Sequence, residues 1–515
     1  MLLAALVLPV AAADQPLTLT VVGTYATGTF DEGGAEIAAY HPASSTVYVV
    51  NGATDTIDLL NISDPAAPAL AGQIDVTQYG DGANSVAVFG DLLAVAIEAD
   101  PAQNPGLVAF FTPAGEFIAS YEVGALPDML TFTPDGTQVI TANEGEPTDD
   151  YATDPEGSIS IIDVSAGAEA ATVTTLGFTD FNAGGSRAAE LPAAVRIYGP
   201  GASVAQDLEP EYVAVAPDSS TAFVTLQENN AYAIVDLAAP AITAIRSFGF
   251  KDHSVAGNGF DGGNDDGVIN IATYPVLGMY QPDGIAVYEA GGTLYLVGAN
   301  EGDTRDYDGY SEEGSVGETP LDATAFPNAA DLAQESSIGG LEITTATGDT
   351  DGDGDIDVMY LPGARSFSIW TPLDGALVWD SGDALERITA ETYPADFNAT
   401  NDENGSFDDR SDNKGPEPEG LALGSINDHV YAFVGLERIG GVMVYDITDP
   451  AAPVFVTYVN NRDFGGDAEA GTAGDLGPEG LLFIPAAQSP TGFDLLVVTN
   501  EISGSTTLYQ VSSGQ

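Results

Sequence analysis

The sequence predicts an all-β fold: a seven-bladed β-propeller of four-stranded blades. Three observations carry this. Short β-rich runs are punctuated throughout by 60 glycines and 31 prolines, with few long stretches of helix formers at helical spacing. A two-strand unit recurs seven times along the chain. A carboxylate-bearing tag returns at its end, as ANEGE at 142–146, ANEGD at 299–303 and TNEISG at 499–504. Repetition of short antiparallel strands at blade-sized intervals is the pattern of radial closure.

The first run of each unit opens on a small or acidic residue. In order these runs are AEIAAY from 35, NSVAVF from 84, PDMLTF from 127, PEYVAV from 210, PDGIAV from 282, PEGLAL from 418 and PEGLLF from 478. The paired second runs are STVYVVN, DLLAVAIE, TQVITANE, STAFVTLQE, GTLYLVGANE, DHVYAFVGLE and FDLLVVTNE. Two further β-like runs follow in most units, as in TIDLLNISDPAAPALAGQIDV at 56–76 and GVMVYDITDPAAPVFVTYV at 441–459. The last unit is one strand short, ending in TTLYQV at 506–511, while LTLTVVGTYATG at 17–28 precedes the first. Pairing the N-terminal strand into the last blade hides two open edges at once. Uneven spacing places insertions near 164–208, 250–280, 302–363 and 384–417, all in one domain of residues 14–515.

Asp and Glu number 78 against 11 Lys and Arg, a net charge of −67. Such a chain repels nucleic acid and anionic membranes, since it cannot supply the phosphate contacts that release counterions. Metal ions are the expected partners. Hydration of the surface in salty water is the competing account of the overall excess. There is no cysteine, so disulfides and thiolate chemistry are excluded. Residues 1–13, MLLAALVLPVAAA, form a short apolar run ending in small residues, as in an export signal. No other run is long and apolar enough to span a bilayer. A secreted or cell-surface monomer is expected.

In an antiparallel pair the start of one strand lies beside the end of the next, so the acids of each unit meet on one rim of the channel. The opening acids are Glu36, Asp128, Glu211, Asp283, Glu419 and Glu479; the closing acids are Glu98, Glu144, Glu228, Glu301, Glu437 and Glu501. Two unit charges about 6 Å apart repel by roughly 3 kcal/mol at an effective dielectric near 20. Such a rim requires cations: either calcium, or the basic residues Arg305, Arg410, Lys414, Arg438 and Arg462 that fall beside the tags. The structural alternative is that these carboxylates cap strand ends and tie blades through Arg. In a catalytic version Glu301 and Glu437 would hold the metal, while Arg305, Arg410, Lys414 and Arg438 would neutralise a phosphate ester.

Residues 349–357, DTDGDGDID, match the opening of an EF-hand-like calcium loop. Asp349, Asp351 and Asp353 would supply side-chain oxygens, Asp355 its carbonyl and Asp357 a water-mediated contact. Position twelve is Tyr360, not the bidentate Glu of an EF-hand. GNGFDGGNDDG at 257–267 is a lesser candidate of the same kind. His41, His253 and His429 show no metal-ligand spacing, and neither a nucleophile elbow nor a P-loop is present.

Across SFGFKDHSVAGNGFDGGNDDGVINI, YLVGANEGDTRDY, GDTDGDGDIDVMYLPGARSFSIW, RSDNKGPEPEG, VGLERIGGVMVYDITDP and GDLGPEGLLFI, the chain resembles the choice-of-anchor I family. That group is similar to the mesenchyme-specific cell-surface glycoproteins associated with calcium biomineralisation. The resemblance implies a secreted or surface-held propeller that handles calcium and meets mineral or extracellular matrix. Members are also labelled alkaline phosphatase-like, which implies as the alternative a calcium-dependent phosphoesterase of alkaline phosphatase or phytase type acting on phosphate esters.

Overall fold

Seven four-stranded antiparallel sheets hold most of the strands in the computed structural model, which describes residues 17–513 apart from 265, 266 and 335. The export signal expected at residues 1–13 lies outside the described residues. Taken along the chain, the sheets open on Ala38–His41, Ala83–Phe89, Pro127–Phe132, Pro210–Val215, Ile285–Ala290, Pro418–Ile426 and Pro478–Ile484. Each opening strand packs against the opening strand of the next sheet, and Pro478–Ile484 packs against Ala38–His41. This is β-propeller packing, in which faces are buried between neighbouring sheets and not against a single core.

That arrangement explains the sequence of the second and third strands. Thr46–Asn51 is buried at every position and Ala231–Asp236 at all but its last, because a sheet lies against each face. Their runs are therefore continuously apolar and do not alternate. Outermost strands such as Ala69–Asp75 and Thr172–Gly177 are mostly exposed, and polar residues return there. The apolar seams are continuous. Between the fourth and fifth sheets, Phe223, Tyr232, Phe248, Tyr280, Leu296 and Trp370 form one buried cluster, each large side chain contributing about 1.5–3 kcal/mol of burial.

Leu17–Ala26 pairs antiparallel with Ser505–Ser513, from Leu17 opposite Ser513 to Ala26 opposite Ser505. It is the outer strand of the sheet that otherwise contains Pro478–Ile484, Asp494–Asn500 and Ser505–Ser513. Both chain ends thus share one sheet. Among the described residues, no helix is long and apolar enough to cross a membrane.

The long inter-strand segments have structure of their own. Thr172–Gly177, inside the first of them, is the outer strand of the third sheet. Phe250–Asp252, Val276–Met279 and Met359–Leu361 form a small separate sheet whose last two strands run parallel. Phe260, Val276, Val316, Phe326, Ile338, Ile343, Ile356 and Met359 make an apolar cluster beneath it. The segment from 384 contains the helix Ala384–Thr392, which buries Leu385, Glu386 and Thr389.

Candidate metal centre

Strand pairing aims the opening acids. Register breaks occur between Pro127 and Leu130, Pro210 and Val213, Pro418 and Leu421, and Pro478 and Leu481. Each break is a bulge, which leaves residues out of the ladder and redirects their side chains. The acid after each proline, Asp128, Glu211, Glu419 or Glu479, falls in such a bulge. In the second sheet the break lies between Ala83 and Ser85, so Asn84 takes the same place. The residue before the proline is held at positive φ in Leu126, Gln281, Glu417 and Gly477, a conformation that suits glycine and strains the other three. The tag's glycine answers a similar need. Gly302 sits at φ 91°, and a Cβ there would lie 2.1 Å from Gly363 N, so only glycine lets the chain turn away after Glu301.

These bulges and the neighbouring strand ends line a central chamber of about 220 Å³ with Asn84, Asp128, Glu144, Glu211, Asp283, Glu301, Glu419 and Glu479. Ile37, Met129, Tyr212 and Leu481 also line it, and they continue into a second cavity of mixed lining bounded by Val86, Val88, Leu482, Phe483, Ser85 and Thr131. Two carboxylate trios have oxygens within 4.8 Å of one another: Glu144 and Glu211 of the chamber with Glu228, and Asp283, Glu301 and Glu419, all three of the chamber. Two calcium–oxygen bonds of about 2.3–2.6 Å span that separation. Glu437 forms a further trio with Glu301 and Glu417.

Of the acids that line this space, Glu301 alone forms an ion pair with a basic side chain among the described residues. Burial, then Glu501 and Asp128, raises Glu36 to about 8; burial, then Glu146 and Glu98, raises Asp128 to about 7. Burial raises Glu228 to about 8 against the pull of Arg305. Glu144, Glu211, Asp283, Glu419 and Glu479 are all held well above the ordinary carboxylate range, by burial first and neighbouring acids second, and burial holds Glu437 there against the pull of Arg438. Glu501 is raised by burial, with Arg438 opposing. Glu211 Oε2 and Glu228 Oε2 are buried and accept no hydrogen bond. A cation held there would supply the charge and the bonding these oxygens lack, so the residues fit a hard, oxygen-seeking ion.

The basic residues expected at the rim are engaged internally. Arg305 is 1% exposed; it donates to Glu209 at 2.6 and 3.1 Å, to the Asp207 carbonyl at 2.9 Å and to the Asp207 carboxylate. Lys414 Nζ lies 3.0 Å from Glu301 Oε1 and 3.1 Å from Glu417 Oε2. Arg410 pairs with Glu417 at 2.7 Å, and Arg438 with Glu417 and Glu437 at 3.0 Å each. Arg462 donates to the carbonyls of Thr400, Glu403 and Arg438. Glu417 and Glu209 were not among the expected site residues. Both stand two places before an opening acid, in the repeated Glu-Pro-Glu of 209–211 and 417–419, and that repetition was the available signal. Burial acts to raise Glu417, but Lys414, Arg438 and Arg410 outweigh it and hold it at about 2.

Residues 349–357 divide into two groups. Asp349, Asp351 and Asp353 are exposed with their oxygens gathered, and Asp349 accepts from Gly352 N at 2.6 Å and Gly354 N at 3.0 Å. Asp355 and Asp357 gather instead with Asp322 from the preceding segment. Asp355 thus presents its carboxylate, where the EF-hand analogy gives it a carbonyl role. In the stretch 257–267, Asp261 accepts from Gly263 N at 3.3 Å and from Asn270 N at 2.5 Å.

The choice-of-anchor I domain model matches residues 36–450. Gigasin-3a of Magallana gigas is 30% identical over 190 residues, 35% of this chain and 66% of that protein. The mesenchyme-specific cell surface glycoprotein of Strongylocentrotus purpuratus is 27% identical over 225 residues, 36% of this chain and 28% of that protein. The chain therefore spans less than two thirds of either relative. Among solved structures, a chain of Kuenenia stuttgartiensis hydrazine synthase superposes with a TM-score of 0.47 at 13% identity, covering 94% of this chain and 99% of that one. With the family model extending from the first opening acid, Glu36, to the turn after the third strand of the sixth sheet, the chain belongs to the choice-of-anchor I domain family.

Proposed function

We propose that this chain is a seven-bladed β-propeller, closed by its N-terminal strand, that binds calcium in its acidic channel and acts at the cell surface or in extracellular matrix. The observation that carries the binding is the trio Glu144, Glu211 and Glu228, buried together with two oxygens that accept no hydrogen bond. Left bare, like charges about 4.8 Å apart would repel by roughly 3 kcal/mol per pair at an effective dielectric near 20. The strand shared between chain ends supports the closure. The name of the sea-urchin relative, a cell surface glycoprotein, supports the location.

A phosphoesterase needs cationic donors turned toward the substrate. Here Arg305, Arg410, Lys414 and Arg438 are paired with Asp207, Glu209, Glu301, Glu417 and Glu437, which favours binding over turnover. The test is calcium titration of the chelator-treated protein by calorimetry, with phosphomonoester and phytate assays alongside. Calcium uptake with a raised melting temperature and no phosphate release is expected. No uptake, or phosphate release abolished by chelation, would sink this reading.

A further inference from the structure

The two acidic trios at the chamber are chemically alike but differently satisfied. In the second, Glu301 Oε1 meets Lys414 Nζ at 3.0 Å and Glu301 Oε2 accepts from Gln227 Nε2 at 3.1 Å; Glu419 Oε2 is left without a donor there, but the trio already has an ammonium on its central carboxylate. In the first, Glu228 is 2% and Glu211 7% exposed, and each keeps an oxygen with no hydrogen-bond donor. Arg305, which draws Glu228 down electrostatically, directs its guanidinium to Asp207 and Glu209, and Arg196 donates to the Glu228 carbonyl at 2.7 Å and not to its carboxylate. Among the described residues, no Lys or Arg forms an ion pair with Glu144, Glu211 or Glu228.

Resting on the calcium-binding reading above, we infer that the two halves of the chamber are neutralised by different cations. A single divalent ion of the calcium class binds off-axis on Glu144, Glu211 and Glu228, and the Lys414 ammonium stands as a tethered cation on the Asp283, Glu301 and Glu419 side. Three carboxylates can offer up to six oxygens, within the six to eight that calcium takes, and the chamber leaves room for water to complete the shell. On the other side a second ion would meet the ammonium at short range, and like-charge repulsion excludes it. Lys414 therefore sets the stoichiometry of the channel.

The test compares calcium per chain, by calorimetry and metal analysis, in a parent carrying Asp349→Asn, Asp351→Asn and Asp353→Asn, so that the exposed loop does not contribute. Adding Glu228→Gln should remove one ion per chain. It should also raise the melting temperature in chelator at about pH 9, above the value near 8 at which Glu228 ionises, because it deletes an uncompensated buried charge, and abolish the rise on adding calcium. Adding Lys414→Met should increase the count by one and enlarge that rise; Glu417 would keep Arg410 and Arg438 as partners, so the fold retains its tie. If Glu228→Gln binds as many ions as the parent and keeps its calcium-induced shift, the placement of the ion is wrong. An unchanged count in Lys414→Met overturns the role of the ammonium. A parent that takes up no calcium overturns the binding reading itself and this inference with it.

Discussion

Lys414 Nζ lies 3.0 Å from Glu301 Oε1 although 113 residues separate them in the chain. The contact joins the approach to the sixth sheet with the end of the second strand of the fifth. The same ammonium is 3.1 Å from Glu417 Oε2, so a basic residue placed by sequence at the channel rim also holds neighbouring sheets in position.

Arg305→Met should cost about 3–5 kcal/mol, because it strands the buried carboxylates of Asp207 and Glu209. Urea denaturation measures this, and added inorganic phosphate should not restore the midpoint. An unchanged midpoint together with a loss of phosphate binding would return Arg305 to a ligand-binding role.

Stability without metal should fall as the pH rises. Asp128 at about 7 and Glu36 and Glu228 at about 8 all lie above the ordinary carboxylate range near 4. A group whose folded value is raised contributes stability that is full below its unfolded value and lost as pH climbs through the folded one. The melting temperature in chelator should therefore drop between about pH 5 and pH 8.5, and saturating calcium should flatten the decline. A chelated protein that is more stable at pH 8 than at pH 5 would contradict the electrostatics of the chamber.

Asn at Asp349, Asp351 and Asp353 should lower the calcium count of the otherwise unaltered protein. Asp322→Asn tests the second group separately, since Asp322 gathers with Asp355 and Asp357 and not with the first three. Equal counts in all variants would make the loop a hydrated turn.

Deleting residues 14–30 removes the strand Leu17–Ala26 and uncovers the edge of Ser505–Ser513. Aggregation or loss of cooperative unfolding is expected, followed by light scattering and calorimetry. A truncated monomer with an unaltered melting profile would show that the shared sheet is dispensable.

The strands were legible because their signals are local. Buried second strands such as Thr46–Asn51 read as unbroken apolar runs, and the prolines at 127, 210, 418 and 478 mark strand openings. The insertions were harder to read. Val276–Met279 pairs with Met359–Leu361 across some eighty residues, and runs this short carry too little periodicity to reveal a distant partner. Thr172–Gly177 was absorbed into an apparent loop because an outer strand with exposed faces lacks the apolar pattern that marks an inner one.

Repetition in the chain establishes the all-β class, the seven units and the recurrence of acids at matched positions, because each unit reproduces one local folding pattern whatever surrounds it. Which of those acids has a partner is settled by three-dimensional packing. Glu301 and Glu228 occupy equivalent strand ends, yet one receives an ammonium from residue 414 and the other keeps an oxygen without a donor. Charge compensation over a few ångströms depends on long-range side-chain placement that no local run encodes, so the sequence could assemble the recurring acids but not tell which of them has a cationic side chain beside it.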